Sequence, residues 1–131
     1  MKIKIIISTL IILMAILSAC TTNSLKSGIQ GNLQYGEGSC LFDPSFRTYY
    51  PYSGYIYFIN SVTADTSSSS IYDLLDNADS VMCNNGNFSL KLEVGTYYLC
   101  IREYPYLRDD NYFTVQPNQT TEQDFYIFKC I

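Results

Sequence analysis

Five cysteines, twelve carboxylates and no histidine bound the chemistry open to this 131-residue chain. Without imidazole there is no Ser–His or Cys–His pair to activate a nucleophile. No Ser-x-x-Lys occurs, which removes the usual lysine-activated serine, and no glycine-rich phosphate loop appears. Carboxylates alone support glycoside hydrolysis when two face each other across the scissile bond at about 5–10 Å. Asp109-Asp110, beside Arg108, is the only adjacent acidic pair, and between strands it reads as a solvated turn. Asp73, Asp76 and Asp79 recur every three residues but lack the alternating spacing and the glycine of a calcium loop. They read as a solvated helix face. The chain is therefore expected not to be an enzyme, with no catalytic residue, metal site or cofactor.

The cysteines carry a different expectation. Apart from Cys20 there are four, Cys40, Cys83, Cys100 and Cys130, and no two of them stand within five residues of each other. That spacing, with no histidine, disfavours a zinc site, and the missing Cys-x-x-Cys disfavours thiol–disulfide exchange. An even number in a small exported domain reads as two disulfides, for which three connectivities exist.

Export is read from the first twenty residues. Lys2 and Lys4 precede a 13-residue apolar run, Ile5 to Leu17, broken only by Ser8 and Thr9. The run is too short to span a bilayer and has the layout of a secretory signal peptide, expected as a helix over 1–19. Leu17-Ser18-Ala19-Cys20 resembles the lipobox of bacterial lipoproteins. The resemblance implies cleavage before Cys20, a diacylglyceryl group on its thiol and acylation of its new amine. Several buried acyl chains, at about 0.8 kcal/mol per CH₂, anchor stably where one does not. Thr21 after the cysteine, rather than aspartate, resembles the pattern sent to the outer membrane in Gram-negative cells.

Cleavage would leave 112 residues, the size of one domain. Lys2 and Lys4 leave with the leader, so eight basic residues become six against twelve acidic ones, a formal balance of −6. Such a surface disfavours nucleic acid, whose phosphates need a basic patch. Residues 20–27 are polar and read as a lipidated tether, and 28–131 as the folded domain.

The domain reads as β-structure. Aromatic and β-branched runs separated by Gly, Pro, Asn, Asp and Ser place strands at Ile29–Tyr35, Gly54–Val62, Phe88–Leu92, Thr96–Glu103, Tyr112–Gln116 and Thr121–Cys130, with a weaker one at Ser80–Cys83. The Ser67–Ser70 run reads as a loop. Ser70 with Asp73 three residues later matches a capping box for a short helix over Ile71–Asn77. Asn85-Gly86 signals a turn, after which Phe88, Leu90 and Leu92 face inward, as do Tyr97, Leu99 and Ile101, then Phe125 and Ile127. The same alternation turns Cys100 and Cys130 outward. Outward cysteines on neighbouring late strands can meet, so the favoured pairing is Cys100–Cys130 with Cys40–Cys83.

Gly86-Asn87-Phe88-Ser89-Leu90-Lys91-Leu92, Gly95-Thr96-Tyr97-Tyr98-Leu99 and Gln119-Thr120-Thr121 with Asp124-Phe125 resemble the carboxypeptidase regulatory-like family, and Gly28-Ile29-Gln30-Gly31 resembles its first strand. The resemblance implies a single antiparallel, transthyretin-like β-sandwich of about seven strands. This sequence departs from the family in having Glu93-Val94 where a proline is common, four cysteines, and a long insertion between Val62 and Ser80. It also implies that the strands starting at Gly54 and Thr96 are antiparallel neighbours. Tyr50-Pro51-Tyr52 and Tyr104-Pro105-Tyr106 would then share one end of the sandwich, joined by Tyr49. Thirteen tyrosines and no tryptophan make that edge the candidate binding site. The expectation is an envelope lipoprotein held to the membrane by its lipid and acting as a non-catalytic binding or structural module. Its partner is expected to be an envelope protein, with a glycan captured on the tyrosine edge as the alternative.

Overall fold

The computed structural model describes residues 27–131. The 1–19 leader, Cys20 and residues 20–26 of the tether lie outside the described residues. The described chain forms an all-β sandwich of two sheets with two short helices on one outer face. The first sheet is built on one long strand, β1 (Gly28–Gly38). Its first half lies between β5 (Asn87–Lys91) and β8 (Thr120–Glu122); its second half lies between β2 (Tyr50–Pro51) and β9 (Phe125–Cys130). The second sheet is antiparallel throughout, in the order β4 (Asp79–Cys83), β3 (Gly54–Asn60), β6 (Gly95–Cys100), β7 (Tyr112–Val115).

The period-two pattern that placed these strands also built the core. Phe88, Leu92, Tyr97, Leu99, Ile101, Phe125 and Ile127 are all buried between the sheets, as the alternation requires. Ile29 and Leu33 of β1 and Ile56 and Phe58 of β3 close it from both sides. Phe113 stands at its centre, 5.8 Å from Phe58 and 5.6 Å from Phe125 between ring centroids, both edge-on. The Asn85-Gly86 turn places both residues at positive φ, 49° and 84°. Glycine is favoured at the second position because a Cβ there would also meet the Asn32 side chain.

Three expectations are corrected. The sandwich is not wholly antiparallel, since β8 and β9 both run parallel to β1. Parallel neighbours need a crossover, and here the chain between β1 and β9 is nearly the whole domain. The strand expected over Thr121–Cys130 is two, because the Gln123 carbonyl presses onto Gly31, where a Cβ would lie 1.8 Å from its oxygen. There the Asp124 carboxylate accepts from the Asn32 N–H at 3.0 Å in place of a ladder bond. The strand expected to run to Val62 stops at Asn60, whose side chain accepts from Val62 N (3.0 Å) and Thr63 N (3.4 Å) and so caps a helix, α1 (Ser61–Thr66). The second helix, α2 (Ile71–Asp76), starts at Ser70 as its capping pattern predicts, with Ser70 accepting from Asp73 N at 3.2 Å.

The favoured disulfides do not form. Cys40 pairs with Cys130, while Cys83 and Cys100 are free thiols, both buried. The parallel register sets Gly38 opposite Cys130, so the chain has only to turn through Ser39 for Cys40 to reach it. Cys100 does point away from the main core, but it lies on the second sheet, with Ile59 and Leu75 in a small cluster beneath the two helices. Cys83 faces the opposite way, into the main core, with its thiol 3.4 Å from the Tyr52 carbonyl oxygen. The sheet itself stands between the two thiols.

Candidate binding surface at the disulfide end

β3 and β6 are antiparallel neighbours, Tyr57 opposite Cys100, so the segments before Gly54 and after Cys100 meet. Tyr52 shows the meeting directly, donating its hydroxyl to the Glu103 carboxylate at 2.9 Å. Its role, however, is structural. Just past the two-residue β2 its N–H donates to the Leu33 carbonyl at 3.0 Å and its ring turns in, 7% exposed, while Tyr50 stays outside. Burial first, then the bond to Glu103, pushes the Tyr52 phenol above its ordinary value. Its ring meets Tyr35 edge-on at 5.9 Å. Tyr52 is therefore a core residue, not part of a surface patch.

The other four tyrosines remain at the rim. Tyr50 and Tyr106 are exposed, and Tyr104 packs on Tyr106 with centroids 4.5 Å apart. Tyr49 stands edge-on to Tyr126 (5.5 Å) and Phe128 (5.7 Å) of β9. Tyr49 and Tyr104 line one narrow cleft of about 80 Å³. Arg47, Arg108, Asp110, Asn111 and Tyr126, which the sequence did not mark as binding residues, are among its other walls. Arg108 donates to Asp110 at 3.1 Å, and that carboxylate raises its already high pKa. Arg47 lies over the Phe128 ring, 4.8 Å from its centroid. Asn111, 2% exposed, closes a 3-10 turn through its N–H to Arg108 O at 3.0 Å.

A loop of opposite character adjoins the cleft. Cys40 to Arg47 is pinned by the Cys40–Cys130 bond at one end and by Arg47 on Phe128 at the other. Between them Asp43 accepts from Ser45 N at 2.8 Å, which starts a 3-10 turn over Pro44–Phe46 and lowers the Asp43 pKa. Leu41, Phe42 and Phe46 point into solvent, 94%, 69% and 78% exposed. The sequence carried a signal for this loop, since apolar side chains stand in a Cys-Leu-Phe-Asp-Pro-Ser-Phe stretch otherwise made for a turn. Nothing local marked Asn111.

The acidic residues do not assemble. Asp76 pairs with Arg102 at 2.6 Å, the Asp73 carboxylate accepts from the Ser70 hydroxyl at 2.8 Å, and among the described residues no group of three or more metal-ligating side chains converges. Compared with models of known families, with curated proteins and with solved structures, the chain matches none.

Proposed function

We propose that the chain is a lipid-anchored, non-catalytic binding module of a bacterial cell envelope that holds an envelope protein through its 40–47 loop. The exposed Leu41, Phe42 and Phe46 carry this reading. Three large apolar side chains on a pinned loop form the kind of patch that soluble surfaces otherwise avoid. Their place in the fold favours a partner over the protein's own membrane. The described chain enters the sandwich at Ser27, and β1 then runs from Gly28 to Gly38, so the loop lies roughly 33 Å along the strand from that entry point. An anchor at Cys20 would hold the near end to the lipid and present the far end outward. The lipobox resemblance of Leu17–Cys20 supports the anchor. The antiparallel pairing of β3 with β6 supports kinship with the carboxypeptidase regulatory-like sandwich.

Two measurements test the two halves. Feeding cells an alkynyl palmitate should label the wild-type chain and leave Cys20→Ser unlabelled; equal labelling rejects lipidation. Cross-linking in native membranes followed by mass spectrometry should recover one envelope protein with the wild type and lose it with Leu41→Ser/Phe42→Ser. Recovery of the chain alone, or equal recovery by that variant, rejects the docking loop.

A further inference from the structure

The hairpin that joins the two sheets stops bonding almost at once. Asn84 and Asn87 exchange both backbone bonds across the Asn85-Gly86 turn, Asn84 N to Asn87 O at 3.0 Å and Asn87 N to Asn84 O at 2.9 Å. Beyond that pair the two strands part. β4 joins β3, β5 joins β1, and among the described residues neither has a strand on its other side. Successive residues of an antiparallel strand turn their N–H and C=O to opposite edges. Asn84 turns away from β3 toward Asn87, so Met82 and Ser80 turn away from β3 as well. Among the described residues their backbone groups have no partner.

This edge is unguarded. Native edges carry lysine, proline or a bulge, and Ser80-Val81-Met82-Cys83 has none of these, in an unbroken register with β3. The neighbouring edge of β5, by contrast, ends in Lys91. Met82 and Tyr55 stand directly opposite each other on the outer face of the second sheet, both exposed, and Val81 on the inner face is only partly buried. Asp79, at the end of β4, makes no ion pair among the described residues.

We infer that the free edge of β4 is a strand-addition site that takes an extended segment of a partner protein as the fifth strand of the second sheet. The segment bonds through its backbone to Ser80 and Met82. Its side chains alternate between Met82 on the outer face and Val81 on the inner one, so apolar and β-branched residues fit there. A lysine or arginine fits opposite Asp79. A second copy of the chain is the rival occupant, but identical edges pair about a two-fold axis only antiparallel. That would put the two Ser27 entry points at opposite ends of the pair. For an upright domain on a Cys20 anchor, the seven steps from Cys20 to Ser27 reach about 25 Å at most. The length of β1 is roughly 33 Å, so one membrane cannot hold both copies. This choice of occupant rests on the anchored reading; the edge itself does not.

The test is NMR of the full chain in detergent micelles, with the peptide Lys-Thr-Val-Thr-Val-Thr-Lys as probe. Two controls accompany it, the same peptide N-methylated throughout and Glu-Thr-Val-Thr-Val-Thr-Glu. The lysine peptide should shift the Ser80 and Met82 amides and slow their exchange about tenfold or more. The methylated peptide should do neither, and the glutamate peptide should bind several-fold more weakly. Met82→Pro should fold, because proline is accepted where a strand N–H faces solvent, and should bind the lysine peptide about tenfold more weakly or not at all. If circular dichroism shows that it has not folded, the methylated peptide decides. Leu41→Ser/Phe42→Ser should bind as the wild type does, so this inference and the docking loop fail separately. No response to the lysine peptide, equal binding of either control, or unchanged binding by folded Met82→Pro overturns the inference. Sedimentation that shows a dimer lost in Met82→Pro overturns it in favour of a second copy.

Discussion

Tyr52 and Tyr106 occupy matching places in two Tyr-Pro-Tyr tripeptides, yet one is core and the other surface. Tyr52→Ala should destabilise the domain by about 3–5 kcal/mol, as loss of a buried ring does, whereas Tyr106→Ala should stay within about 0.5 kcal/mol. Chemical denaturation of the two variants checks this, and Tyr52→Phe, which keeps the ring but loses the hydroxyl that meets Glu103 and the Tyr55 carbonyl, should fall between them at about 1 kcal/mol. The free thiols make a second contrast. Desolvation raises the Cys83 pKa and pushes Cys100 up to about 12 from an ordinary 9.0. A raised folded-state pKa means that the native state holds the proton longer than the unfolded chain. The stability it contributes is complete below the ordinary thiol value and is lost as pH rises from about 9 towards 12. At pH 8 both thiols should resist iodoacetamide in the native protein and react once denaturant is added; rapid native labelling would contradict the burial.

At the scale of elements, two glycines control how strands approach one another. Gly31 lies under the Gln123 carbonyl, and an added methyl group would meet backbone, which has no rotamer to escape through. Gly31→Ala should therefore cost at least about 3 kcal/mol, the upper range for overpacking. Gly86→Ala meets the flexible Asn32 side chain and a positive φ, so about 1–2 kcal/mol is expected. Thermal unfolding of the pair measures the difference. The strands themselves were legible in the sequence because alternation is local: Phe88, Tyr97, Leu99, Phe125 and Ile127 each turned inward as their spacing required. Ser70 was legible for the same reason, since its cap lies within three residues of Asp73. Asn60 was not read as a cap because the β-rich run before it continued smoothly into Ser61-Val62, and only the side-chain bonds to Val62 and Thr63 ended the strand.

At the scale of the molecule, the Cys40–Cys130 bond joins residues 90 apart in sequence and ties the ends of the neighbouring strands β1 and β9 together. Closing a loop of that length restricts the unfolded chain by up to about 4.6 kcal/mol in the chain-entropy view, so Cys130→Ser should cost about 2–5 kcal/mol. Unfolding with and without reductant checks the value. The bond also pins one end of the 40–47 loop, so reduction below the unfolding transition should weaken recovery of the protein partner before the sandwich melts. The residues of the candidate surface come from four separate stretches, around 40–49, 104–106, 108–111 and 126–130, which only the closed sandwich brings together.

By itself the sequence determined what repeats over a few residues: the strands, their inward faces, the Asn85-Gly86 turn and the α2 cap. Tertiary structure decided the rest, and one pairing accounts for most of it. Parallel addition of β9 to β1 has no local signature, because its two strands stand at opposite ends of the domain and no hairpin joins them. That pairing put Cys130 beside Cys40 and placed Phe128 beside Arg47 and Tyr49. The sidedness of the sheets did the remainder, burying Cys100 under the helices and Cys83 in the core, while Tyr52, just past β2, packed inward against Tyr35 and bonded Glu103.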